Sequence, residues 1–142
     1  MNYVVDASVA LKWFLPEDSD AAEALLIKFL SGKVNLYAPD LLLVEAGSAL
    51  WRRCVVRDEL TSAEVRSIYR DLLTLPLNFQ PSERVSAAAF SLALTHRHSV
   101  YDSVYCALAL EMDCEFITAD QALVTKLSRA LPFVRHVSGL NL

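Results

Sequence analysis

The sequence predicts a single α/β domain built on a parallel sheet with helices on both faces. Three observations lead there. Strand-like and helix-like segments alternate from one end to the other. Of 142 residues, 54% are hydrophobic and 21% charged, with only 3 glycines, which supplies a core and excludes disorder. No repeat, low-complexity run or linker divides the chain, so residues 1–142 are expected to fold together.

Each element has a local reason. Tyr3-Val4-Val5 is a short aromatic and β-branched strand ending at Asp6. From Ser19 to Leu30, the residues Ala22, Leu25, Leu26, Phe29 and Leu30 share one helical stripe, and Gly32 stands just past its end. Asn35 to Ala38 reads as a strand stopped by Pro39, after which Asp40 is placed to cap a long helix reaching about Arg57. Thr61-Ser62-Ala63-Glu64 is a capping box opening a helix that ends before Pro76. Leu77 to Phe79 is a brief strand. Ser82 to Thr95 and Ser99 to Met112 are helices joined by His96-Arg97-His98, followed by a strand at Glu115 to Thr118, a helix at Asp120 to Arg129 and a strand at Phe133 to Val137.

Composition also excludes several classes. The longest uncharged apolar stretches, such as Val85 to Thr95, fall far short of the roughly 18 residues of a membrane span. The first 20 residues place Asp6 in the only early apolar run with no basic residue before it, which argues against a secretory signal and for a cytoplasmic protein. Cys54, Cys106 and Cys114 form no C-x-x-C pair and read as reduced thiols. His96 and His98 lie two apart and would not share a helix face, so no zinc spacing is visible. The net charge of −4, from 13 basic and 17 acidic residues, argues against a simple basic nucleic-acid binder.

Most of the acids lie in polar surroundings, as in Arg57-Asp58-Glu59, and need no function. Four stand differently. Asp6 closes an apolar strand, and Glu45 is the only charge between Leu41 and Trp51. Asp102 is the only charge between Ser99 and Leu110, and Asp120 follows Phe-Ile-Thr-Ala. An ionised carboxylate in such a setting is costly unless paired or bound to a metal. Arg52 and Arg53 are the cations nearest Glu45 but lie two helical turns on, and none shares the run around Asp102. Asp6 and Asp120 end parallel strands, where open α/β sheets keep their ligands, and the helices carrying Glu45 and Asp102 start at the same rim. The four are expected to converge on one crevice. Hard oxygen ligands without Cys or His select Mg²⁺ or Mn²⁺ over zinc. For Asp120 a second reading is open, that of a simple cap on the helix after it.

Val-Val-Asp6-Ala-Ser-Val, Pro-Asp-Leu-Leu-Leu-Val-Glu45, Tyr-Asp102-Ser-Val-Tyr-Cys-Ala-Leu-Ala and Ile-Thr-Ala-Asp120 resemble the four acidic motifs of PIN domains, most closely those of the VapC toxin ribonucleases. The resemblance spans nearly the whole chain in the right order, and the run around Asp102 is its most specific part. It implies a sheet ordered 3-2-1-4-5 and Mg²⁺- or Mn²⁺-dependent endonucleolytic cutting of RNA to a 5′-phosphate and 3′-hydroxyl. It further implies dimerisation and a VapB-type antitoxin partner. By position, Asp6, Glu45, Asp102 and Asp120 become metal-binding acids, with Ser8 and Thr118 as supporting hydroxyls. Some relatives carry a further acid just after the fourth motif, where this chain has Gln121-Ala122-Leu123.

Two other folds with a strand-end acid fit less well. A haloacid-dehalogenase-like phosphatase needs a second Asp where Ser8 stands, and a phosphoacceptor receiver needs an acidic pair beside the first strand. A PIN-like module kept only for binding or assembly is the non-enzymatic alternative. Setting the four acids aside leaves thirteen against thirteen Lys and Arg, so the remaining surface is neutral. Substrate attraction then falls to bound metal and local cations, with Arg52, Arg53, Lys126 and Arg129 as candidates. Finally, Leu50, Trp51, Val55, Ile68, Tyr69 and Leu72 exceed what one core needs, and a homodimer through them is expected.

Overall fold

A computed structural model describes residues 1–17 and 19–142. Five parallel strands form the sheet: β1 (Asn2–Val5), β2 (Asn35–Pro39), β3 (Asn78–Gln80), β4 (Glu115–Thr118) and β5 (Val134–His136). Their order is β3-β2-β1-β4-β5, the order the family resemblance implied. The two central strands pair with Val5 opposite Ile117, so Asp6 and Thr118 leave the sheet side by side.

Strand alternation feeds two cores. Val4 and Phe116 point to the face covered mainly by α3 (Leu41–Trp51), α5 (Ser82–His96) and α6 (Val100–Glu111). Tyr3, Val5 and Ile117 point to the opposite face, under α2 (Asp20–Leu30). Both faces are therefore apolar, as continuous runs in parallel strands require. Tyr105 of α6 stacks on Phe116 of β4, ring centroids 5.4 Å apart, fixing that helix against the central sheet.

Most boundaries follow the local signals. The Thr61 capping box forms in both directions at the head of α4 (Ser62–Thr74), and Gly32 takes the left-handed conformation that ends α2, at φ 73°. Asp40 does not cap α3. Its backbone is already helical, and its carboxylate accepts instead from the Ser82 amide at 3.0 Å and the Ser82 hydroxyl, tying β2 to the start of α5. The long helix from residue 41 does reach residue 56, but its last stretch, Arg52–Val56, is a π-turn. A short helix, α1 (Ala7–Lys12), has no counterpart in the sequence reading.

Of the six residues expected at a dimer contact, Leu50 and Leu72 are buried in the domain's own core. Leu50 lies on α3 and Leu72 on α4, and both point into the same core, whereas Trp51 and Val55 remain exposed. Cys54, Cys106 and Cys114 are free thiols.

Candidate active site

Only three polar or charged side chains among the described residues are buried, and two of them, Asp6 and Thr118, touch. Their contact follows from the sheet. Leaving β1, the chain turns at once into α1, and Asp6 is its N-cap, Oδ1 accepting the Val9 amide at 3.2 Å. From β4, alongside, the Thr118 hydroxyl donates to Asp6 Oδ2 at 2.5 Å. The Ser8 hydroxyl donates to Asp6 Oδ1 at 2.5 Å and accepts the Ala119 amide at 2.9 Å. Thr118 Oγ1 in turn accepts the Asp120 amide at 3.1 Å. Ser8 and Thr118 thus each give their one proton to Asp6 and take a backbone N–H from the segment after β4.

Asp120 caps α7 (Gln121–Leu127), its Oδ1 accepting the Leu123 amide at 3.1 Å. Asp102 sits in the first turn of α6, where its amide donates to Ser99 Oγ and the Ser99 hydroxyl returns a bond to Oδ2, both at 3.1 Å. His98 Nε2 also meets Oδ2, at 2.7 Å. Glu45, on the second turn of α3, accepts from the Tyr105 hydroxyl on Oε2 at 3.2 Å. Three carboxylates are therefore held by one oxygen each. Among the described residues, Glu45 Oε1, Asp102 Oδ1 and Asp120 Oδ2 have no protein partner.

All four acids line one cavity of about 570 Å³ at the carboxyl rim of the sheet, together with Ser8, Arg52 and Tyr101. Like charges in a desolvated place resist ionisation. Burial pushes Asp6 up to about 6, against the downward pull of Ser8, Thr118 and the Val9 amide and with a further push from Asp102. Burial likewise pushes Glu45 up to about 7, with Tyr105 pulling down and the charges of Asp102 and Asp6 adding to the rise. Tyr105, buried and facing these acids, is raised far above the usual phenol range and stays a donor. Burial, with Asp102, pushes Cys106 up to about 12, leaving an inert thiol.

The acids share the cavity without closing on a point. Among the described residues, no three His, Cys, Asp or Glu side chains are near enough together to chelate one ion directly. Unengaged carboxylate oxygens around a cavity suit a small hard cation that keeps several of its own waters, as Mg²⁺ does. The donor set fits such an ion. It does not fit zinc, since the one histidine present is turned to Asp102.

Three parts of this arrangement escaped sequence reasoning. The spacing of His98 from His96 offers no zinc site, yet His98 lies four residues before Asp102 and bonds to it. Tyr105, three residues after Asp102, is a core residue whose hydroxyl alone serves Glu45. Arg52 seemed too far from Glu45, but seven residues are two full turns, which return it to the same helix face.

The model of the PIN domain matches residues 3–126. The chain belongs to the PIN domain family. All four acids of the cavity fall within the matched span. This PIN domain is 32% identical over 130 residues to Ribonuclease VapC3 of Pyrobaculum aerophilum, covering 89% of this chain and 95% of that one. It is 34% identical over 103 residues to Ribonuclease VapC1 of Mycobacterium tuberculosis, covering 72% and 75%. Its fold is similar to the crystal structure of PAE2754 from Pyrobaculum aerophilum, with TM-score 0.66 and 20% identity over 97% of this chain and 90% of that one. FitAcB from Neisseria gonorrhoeae gives TM-score 0.58 and 16% identity, over 87% and 91%.

Proposed function

We propose that this PIN domain is a divalent-metal-dependent endoribonuclease of the VapC toxin type, with Asp6, Glu45, Asp102 and Asp120 holding Mg²⁺ or Mn²⁺. The observation that carries the reading is the single cavity lined by all four carboxylates, three of them with an oxygen that no described residue engages. Its kinship to chains named Ribonuclease VapC supports RNA as substrate.

A bound divalent ion would supply Lewis acidity, making a water more acidic and offsetting charge on the departing oxygen. The rest falls to the chain. Asp6, clamped by Ser8, Thr118 and the Val9 amide, cannot swing, so its position is set before any ligand arrives. Asp120 keeps Oδ2 free to take a proton from the attacking water while Oδ1 stays on α7. Arg52, the one Lys or Arg lining the cavity among the described residues, is in no described ion pair and is placed to receive an RNA phosphate. Arg53 is engaged with Glu17 and Glu59, so it is not offered for that role.

Purified protein is expected to cut RNA in Mg²⁺ or Mn²⁺ and to stop in excess chelator. Cutting that persists undiminished in chelator overturns the metal reading, and no cutting under any divalent ion points to the binding-only module. A phosphatase of haloacid-dehalogenase type is disfavoured, because the position of its second Asp holds Ser8, whose proton is committed to Asp6.

Two partners belong to the same reading. One is a VapB-type antitoxin, as the resemblance implies. The other is a second copy of the chain, supported by exposed Trp51 and Val55 near the end of the long helix. Sedimentation at low micromolar concentration is expected to give twice 15.8 kDa, and Trp51→Glu to return the single mass. A lone 15.8 kDa species for the unaltered chain refutes the dimer.

A further inference from the structure

His98 has a place in this site that the four-acid description does not give it. Its ring is largely buried, with 12% of the side chain exposed, and Nε2 lies 2.7 Å from Asp102 Oδ2. Nδ1 is the one buried side-chain nitrogen or oxygen among the described residues that has no hydrogen-bond partner. These two facts fix the tautomer. A proton on Nδ1 alone would set two lone pairs against each other at 2.7 Å and bury an unanswered donor. The proton therefore sits on Nε2 and is donated to Asp102.

The ring reaches that position through an unusual turn. Arg97, between α5 and α6, adopts φ 51°, in the left-handed region that non-glycine residues seldom enter. The His98 amide then donates back to Ala93 O at 3.2 Å, which locks the turn. An orphan nitrogen and a left-handed arginine both weigh against the fold, so packing does not account for this histidine. What the arrangement achieves is directional. His98 and Ser99 both bind Oδ2, the same oxygen, and leave Oδ1 of this cavity-lining residue without a partner among the described residues.

We infer that His98 is a positioning residue which, with Ser99, pins one oxygen of Asp102 so that the other is preset to receive the divalent cation. The inference rests on the proposed metal-holding role of Asp102, and its test separates the two. Mn²⁺ binding to the purified protein is measured by calorimetry for the unaltered chain, Asp102→Asn, His98→Leu and His98→Gln, with thermal melts run without metal. His98→Leu removes the donor and the orphan nitrogen at similar bulk. It is expected to melt no lower than the unaltered chain yet to bind Mn²⁺ roughly tenfold more weakly. His98→Gln can place an amide N–H near the site of Nε2 and is expected to restore most of the affinity. If the unaltered chain shows no Mn²⁺ binding that Asp102→Asn removes, the metal reading itself fails. If that binding is present but His98→Leu leaves it unchanged, or Gln does not recover it, the positioning role is overturned. A Leu variant that unfolds makes His98 a core residue and overturns it equally.

Discussion

Asp102→Asn is expected to abolish RNA cleavage, by at least about 10³-fold, the scale on which one charge-stabilising group acts, while the fold survives. The expectation follows from which oxygen is held. Oδ2 accepts from His98 and Ser99, and the amide oxygen of Asn can take over both bonds. The amide nitrogen must then point where Oδ1 was, so the cavity loses a negative oxygen and gains a donor facing any cation. Local structure should be little altered, because the residue 102 amide still donates to Ser99 Oγ. The charge removed also repels Asp6 and Glu45, which further protects stability. Labelled RNA and a thermal melt on the same preparation decide the matter. A variant retaining a tenth of the activity removes Asp102 from the chemistry, and one that unfolds at moderate temperature makes the acid structural. Asp6→Asn should lose cleavage as well.

The second large effect is the coupling of pH, metal and stability. Asp6 and Glu45 both have folded-state pKa values above their ordinary ones, at about 6 and about 7. For a raised acid, the stabilising contribution is fully present below the unfolded pKa and is lost as pH rises through the folded one. Without divalent ions the protein should thus lose stability from about pH 4 to about pH 7, by on the order of 3 kcal/mol for Asp6 alone. A cation that binds the ionised cavity reverses this loss. Saturating Mg²⁺ or Mn²⁺, at about 100 times its dissociation constant, contributes about 2.7 kcal/mol, or about 5–10 °C in Tm for a domain of this size. The shift is expected at pH 8 and should nearly vanish at pH 5, where protons occupy the same oxygens. Melting curves at the two pH values, with metal and with chelator, test it. An equal shift at both, or a larger one at pH 5, would show that the ion sits elsewhere.

What could be seen in the sequence was whatever depends on local pattern. The strands at Tyr3 and Glu115 and the capping box at Thr61 are decided by neighbours within a few residues. The meeting of four acids in one cavity follows from strand order and rim alone. What could not be seen depends on contacts made late. Helix α1 is six residues long, with valine at its third position, and it is held by burial of Val9, Ala10 and Leu11 rather than by propensity. Asp40 has the side chain of a cap, but Ser82, forty-two residues away, competes for its carboxylate. His98 reads as a histidine at a helix end until the left-handed turn at Arg97 swings it onto Asp102. Spacing told Arg52 and Glu45 apart along the chain, whereas helical phase put them together.

The stitching of Ser8 and Asp6 to Thr118, Ala119 and Asp120 also bears on biosynthesis. Asp6 and Ser8, on one side of the stitch, are translated more than a hundred residues before Thr118 and Ala119 on the other. Until β4 docks beside β1, Asp6 lacks the Thr118 hydroxyl and Asp120 is absent from the rim. On the proposed reading, the chain has no complete site for cutting RNA until Asp120 has been made and β4 is in place. On that reading competence comes when β4 inserts beside β1, and a partner that restrains the protein has the interval between the making of the two strands in which to arrive.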